Sequence, residues 1–225
     1  MINTVKGWLG EKITTFVMWA FLDKDTYRRI HNVIVPSKSG TTQIDHILVS
    51  VYGIFVIETK NLKGWIFGTR DNDKWTQVIF GQKHHFQNPI KQNYRHTKCL
   101  SEYLHLDHDL FRPIVFFIGE CEFKTDMPAS VINTGLSAYI KSFTRPILTD
   151  QQVSQIEGTL LSLRSSVSLT RKSHLESLKE RHGSSTHCPR CGAQLIQRTA
   201  KKGSFAGKTF LGCSKYPQCK YMREV

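Results

Sequence analysis

The chain has 225 residues, 40% hydrophobic and 22% charged, which excludes a disordered or fibrous polymer and suits one α/β domain of about 150 residues plus a small module. No run reaches 18 apolar residues, and Phe16–Leu22 is short and followed by charge, so it reads as a buried helix rather than a membrane span or signal peptide; a cytoplasmic protein is expected. Of the net charge of +13, +10 falls in residues 160–225, an asymmetry that suits a polyanionic partner.

Helical apolar spacing over residues 5–29 predicts one or two helices. A strand at His31–Val35 closes at Pro36, and residues 37–42 read as a polar loop. Gln43–Ser50 and Gly53–Lys60 are strands separated by Val51-Tyr52. Another pair is expected at Gly64–Phe67 and Lys74–Phe80, with Asp71-Asn72-Asp73 as the turn. Asn88-Pro89 opens a helix that runs to about Leu106, because proline suits a first helical position. Pro113–Ile118 is a continuous apolar strand of the kind buried on both faces. A short strand near Val131 follows, then helices at Gly135–Lys141 and from Asp150 to about Leu163. The composition of residues 165–186 turns to Ser, Lys, Arg and His, a linker with some helical character around Leu175 and Leu178.

The hairpin around Val51-Tyr52 carries the first chemical signal. A two-residue turn pairs Ser50 with Gly53, which sets Asp45 opposite Glu58 and Gln43 opposite Lys60. Alternation then puts Asp45, Glu58 and Lys60 on one face of two otherwise apolar strands, with the two acidic Cβ atoms about 5 Å apart. Facing carboxylates on a half-buried sheet repel and need compensation, most simply by a divalent cation with oxygen ligands. Lys60 is placed to assist water or to neutralise a developing phosphate charge. Glu11, on the first helix, is a further carboxylate within this reading. Thr59 and His46 alternate to the opposite side, and His84, His85, His96, His105 and His108 lack ligand spacing and read as surface or packing residues.

Gly40–Val49, Gly53–Lys60, Gly64-Trp65-Ile66, Trp75 and Phe86–Gln92 together resemble the nuclease-related domain (NERD) family over about residues 8–120. That resemblance implies the PD-(D/E)xK restriction-endonuclease-like fold, α/β with a mixed central sheet flanked by helices. It implies Asp45 and Glu58 as ligands of Mg²⁺ or Mn²⁺, Lys60 as the catalytic lysine, Gln92 pointing into the site, and Glu11 as the acidic position of the first helix. Ile44 stands where the wider fold often has proline.

Cys188-Pro189-Arg190-Cys191 and Cys213–Cys219, with 21 residues between the pairs, offer four thiolates for a tetrahedral Zn²⁺ site. Strands are expected at Gln194–Arg198 and Thr209–Gly212, with Lys201-Lys202-Gly203 at the tip, and so small a module depends on metal for its folding. Cys99 and Cys121 read as ordinary buried thiols. Phe205, Phe210 and Tyr216 offer stacking faces, while Arg198, Lys201, Lys202, Lys208, Lys215 and Lys220 suit a nucleic-acid backbone. The cysteine pattern with Phe210-Leu211-Gly212 and Tyr216-Pro217 resembles the C-terminal zinc ribbons of bacterial type I topoisomerases, which implies DNA, single-stranded DNA included, as partner.

The expected organisation is a nuclease-related domain at 1–163, a linker at 164–186 and a four-cysteine ribbon at 187–225. The expected function is metal-dependent hydrolysis of DNA phosphodiester bonds in processing, repair or defence. The rival is a catalytically inactive DNA-binding or adaptor protein on the same fold.

Overall fold

The computed structural model describes residues 21–37, 40–166, 169–189, 191–200 and 206–224. The predicted helix over residues 5–20, with Glu11, lies outside them, as do Lys201, Lys202 and Phe205. The chain divides into two compact units, one drawn from residues 1–35 and 43–166, the other from 36–42 and 167–225.

In chain order the described residues up to 166 carry β1 (Arg28–Ser37), β2 (Gly40–Ser50), β3 (Gly53–Asn61), β4 (Gly64–Phe67), β5 (Lys74–Ile79), β6 (Gln82–Gln87), α1 (Pro89–Leu104), β7 (Phe111–Ile118), β8 (Cys121–Phe123), β9 (Val131–Ile132), α2 (Leu136–Lys141) and α3 (Asp150–Arg164). The helical reading of Leu22–Tyr27 is corrected: these residues form a turn in which the Asp23 carboxylate accepts the Thr26 N–H at 2.7 Å, a local bond that competes with helix.

β1-β2-β3-β7-β9 form a mixed sheet, antiparallel between β2 and β3 and parallel from β3 through β7 to β9. Ser50 pairs with Gly53 and His46 with Ile57, the register that the two-residue turn requires. The turn is tied down where Ile147 and Leu148 donate to the Val51 carbonyl at 2.8 and 3.0 Å. The central strands are buried on both faces. Leu48, Phe55, Ile57, Ile114 and Phe116 pack with Leu22, Tyr27, Leu136 and Ile140, while Val115 and Phe117 face Ile66 and Trp75.

Ile66 and Trp75 belong to a second, four-stranded sheet, β6-β5-β4-β8. Only its β4–β5 pair is foreseeable from alternation. β6, Gln-Lys-His-His-Phe-Gln, is mostly exposed and carries no apolar alternation, and β8 has three residues.

α1 is fixed at its start by Asn88. Its side chain accepts from the Ile90 and Lys91 N–H groups and donates to the carbonyls of Thr69, Arg70 and Asn72, so one amide caps the helix and closes the preceding loop. Farther along, the Asn93 side-chain amide donates to the Val56 carbonyl at 2.9 Å and the Ile114 carbonyl at 2.8 Å. A fully buried side chain thereby bolts α1 across β3 and β7.

The second unit has α4 (Arg171–Gly183), capped where Thr170 accepts the Ser173 N–H, inside the segment read as a linker. The antiparallel ribbon strands are β10 (Leu195–Thr199), β11 (Thr209–Cys213) and β12 (Met222–Glu224).

Candidate active site and zinc ribbon

Asp45 immediately precedes His46 and Glu58 immediately follows Ile57, and because His46 pairs with Ile57 the antiparallel register leaves Asp45 and Glu58 opposite each other on one face. At this point Asp45 takes a backbone partner through its side chain: its Oδ2 accepts the Thr59 N–H at 3.2 Å. Glu58 is only 4% exposed. Its Oε1 accepts from Lys60 Nζ at 2.6 Å, and its Oε2 lies 3.1 Å from His96 Nε2. Lys60 Nζ also donates to Gln92 Oε1 at 3.0 Å. Burial pushes the Glu58 carboxyl up, but the Lys60 ammonium and then His96 outweigh it and hold the group at about 2.

The four residues Asp45, Glu58, Lys60 and Gln92 thus converge between the middle of β2, the C-terminal half of β3 and the first turns of α1. The compensation that the facing carboxylates require comes here from Lys60, His96 and the Thr59 N–H. Reading His96 as a surface or packing histidine is corrected: it is 5% exposed and holds the far oxygen of Glu58. Its signal was available, since His96 lies four residues after Gln92 and so on the same helical face.

The donor set fits a hard divalent cation, because both carboxylates are oxygen ligands and Asp45 is half-buried rather than sealed. On the opposite face of the sheet, His46 is 1% exposed, and its Nδ1 lies 2.8 Å from His31 Nδ1. Burial, then the neighbouring His31, push the His46 imidazole down to about 3.

In the ribbon, the Sγ atoms of Cys188, Cys191, Cys213 and Cys219 all lie within 4.8 Å of one another, the only such metal-type cluster among the described residues. Cys188–Cys219 and Cys191–Cys213 are separated by 3.7 and 3.4 Å. A tetrahedral ion with Zn–S near 2.3 Å sets its sulfurs about 3.8 Å apart, so the cage fits zinc. Leu195, Leu211 and Tyr221 pack on the cysteine side. The other face holds Arg198 paired with Phe210, and the Arg198 guanidinium lies 5.8 Å from the Tyr216 ring centre. Lys208, Lys215 and Lys220 are exposed.

Residues 6–118 match the nuclease-related domain family, and residues 185–225 match the topoisomerase DNA-binding C4 zinc finger. An uncharacterized protein of Bacillus anthracis is 38% identical over 162 residues, covering 69% of this chain and 76% of that protein. The ribbon alone is shared with YrdD of Escherichia coli, 53% identical over 38 residues, and with a Haemophilus influenzae protein, 49% identical over 39 residues; these spans cover 17% of this chain and 18% and 19% of the two proteins. No solved structure matches the chain. No described helix is long and apolar enough to cross a membrane. With the acidic pair, its lysine and the four-cysteine cage in place, the chain belongs to the nuclease-related domain family and carries a topoisomerase-type zinc ribbon at its C-terminal end.

Proposed function

We propose that the chain hydrolyses DNA phosphodiester bonds with Mg²⁺ or Mn²⁺, and that residues 187–225 form a zinc-bearing module that holds the DNA. The observation that carries this reading is the convergence of Asp45, Glu58, Lys60 and Gln92 on one face. Asp45 and Glu58 would hold the metal, which when bound supplies a Lewis acid for the phosphoryl oxygen and an acidified water. Lys60 brings a positive charge to that face, suited to a phosphate whose charge grows in the transition state. Gln92 accepts one Lys60 proton and so fixes the direction of the others. Arg198, Phe210, Tyr216 and the exposed lysines of the ribbon supply stacking and phosphate contacts, and tethering raises the local concentration of DNA at the site.

A second reading is a non-catalytic DNA-binding protein. It is favoured by the pairing itself, because Lys60 and His96 already satisfy both Glu58 oxygens and give the buried carboxylate a structural explanation.

Incubating the full chain with linear, circular and single-stranded DNA and with RNA, with Mg²⁺ or Mn²⁺, separates the two. Hydrolysis predicts cleavage that Asp45→Asn and Lys60→Ala abolish while DNA binding and tryptophan emission stay native. Salt-sensitive binding with no cleavage under either metal leaves the binding protein.

A further inference from the structure

The β5–β6 hairpin carries a residue that its fold does not explain. Ile79 pairs with Gln82, so Phe80-Gly81 is a two-residue loop, and both residues have positive φ, 50° and 75°. This is the signature of a type I′ turn, whose first position favours Asn, Asp or Gly. Phenylalanine there is strained, and the residue is 98% exposed. Fold stability alone would select against both features.

Beside the tip lies a groove of about 530 Å³, within the range of small-ligand sites, lined by Lys63, Trp65, Val78, Phe80 and Glu120 among others. Gly64, which also lines it, has a φ of 81°, and a Cβ there would collide with the Val78 carbonyl oxygen, so the backbones of β4 and β5 approach closely at this point. Trp65 is 50% exposed. The registers set Glu122, Trp65, Val78 and Lys83 in one row across the sheet, and Lys124 Nζ lies 4.8 Å from the Trp65 ring centre. From Lys74 to Gln87 the chain has two lysines, two histidines and no acid. Lys63 pairs with Glu120 at 3.7 Å, but both are widely exposed, and such a pair yields readily to a phosphate.

We propose that Phe80, Trp65 and the groove between them bind an unpaired base of a single-stranded nucleic acid, whose backbone runs along Lys63 and Lys83. Two exposed aromatic residues beside lysines on a sheet match how single strands are held, since every base offers a face to stack on and the phosphates need cations. An aromatic side chain projecting from a hairpin tip is also the shape that enters an opened base step. Lys63 lies three residues after Lys60, so their Cα atoms are at most about 11 Å apart. Trp65 and Val78 alternate to the face of their sheet away from Ile66 and Trp75, so the groove lies on its outer face and connects to the phosphodiester site along the chain. Resting on the hydrolytic reading, the base-holding groove makes single-stranded segments the substrate class.

The test uses the full zinc-loaded chain without Mg²⁺ or Mn²⁺. A single-stranded oligonucleotide bearing 5-iodouracil is irradiated on the protein, and the cross-linked peptides are mapped by mass spectrometry. Cross-links within residues 63–81 are expected. Phe80→Asn, which installs a residue the turn favours and so protects folding, should weaken single-strand binding about tenfold or more, with a smaller loss for a duplex of equal length. Cross-links confined to residues 187–225 with unchanged Phe80→Asn affinity overturn the proposal. So does a Phe80→Asn defect limited to self-association in sedimentation or to binding phosphatidylglycerol vesicles. Hairpin cross-links without cleavage under either metal remove the hydrolytic reading and leave the base site. Cleavage of single strands that Phe80→Asn does not alter removes the base site and leaves hydrolysis.

Discussion

Lys60→Ala should destabilise the nuclease-related unit by about 3 kcal/mol at pH 7, although active-site residues are often neutral or unfavourable for stability. The Glu58 carboxyl stands at about 2 against an ordinary 4.5, a difference worth about 3 kcal/mol in favour of the ionised folded form. Its side chain is 4% exposed, so solvent does little to screen the loss. Removing the lysine from such a buried pair leaves an uncompensated charge, for which about 3–5 kcal/mol is typical. Adding Glu58→Gln to Lys60→Ala deletes that charge and should recover most of the stability.

The pH dependence gives an independent check on the same pair. Because the folded pKa is depressed, the stabilisation is complete above 4.5 and is lost as pH falls toward 2. Wild type should lose about 2 kcal/mol from this group between pH 4.5 and 3, and Lys60→Ala should not, so the gap between them narrows in acid. Urea unfolding followed by tryptophan emission measures it cleanly, because all four tryptophans precede residue 76 and none lies in the ribbon. Equal stability of Lys60→Ala and wild type at pH 7, with parallel pH curves, would refute the reasoning.

Between pH 6.5 and about 3, His46 should make the first unit lose about 1.4 kcal/mol per pH unit as pH falls, since the unfolded imidazole takes a proton that the buried folded one refuses. His46→Leu should flatten that slope in urea titrations. Asn93→Ala, which withdraws two buried donors from the Val56 and Ile114 carbonyls, should reduce stability by about 2 kcal/mol in the same assay. It should also lower any cleavage rate, because α1 carries Gln92 and His96. Metal analysis should find one zinc per chain, and its chelation should abolish the ribbon's dispersed NMR signals while the tryptophan-detected urea midpoint stays in place.

Local rules were enough to set several parts of this protein. A two-residue gap between alternating strands dictates the β2–β3 register, and the register alone puts Asp45, Glu58 and Lys60 on one face. Asn88-Pro89 announces the start of α1, and the two cysteine pairs announce the cage, because capping and ligand spacing act over a few residues. Gln92 came from family resemblance rather than from any local rule.

Tertiary packing decided the rest. Whether a cation or the protein neutralises Glu58 depends on which helix face lands above it, and that is set by Asn93 bridging two strands distant in sequence. His96 thus acquired a role that no strand pattern encodes, and His46 gained a histidine partner from β1 that only sheet order supplies. β6 and β8 are strands because neighbours complete their backbone hydrogen bonds, and their side chains do not advertise it. Short-range periodicity records what a segment wants to bury; charge compensation and sheet edges depend on what arrives from elsewhere in the chain.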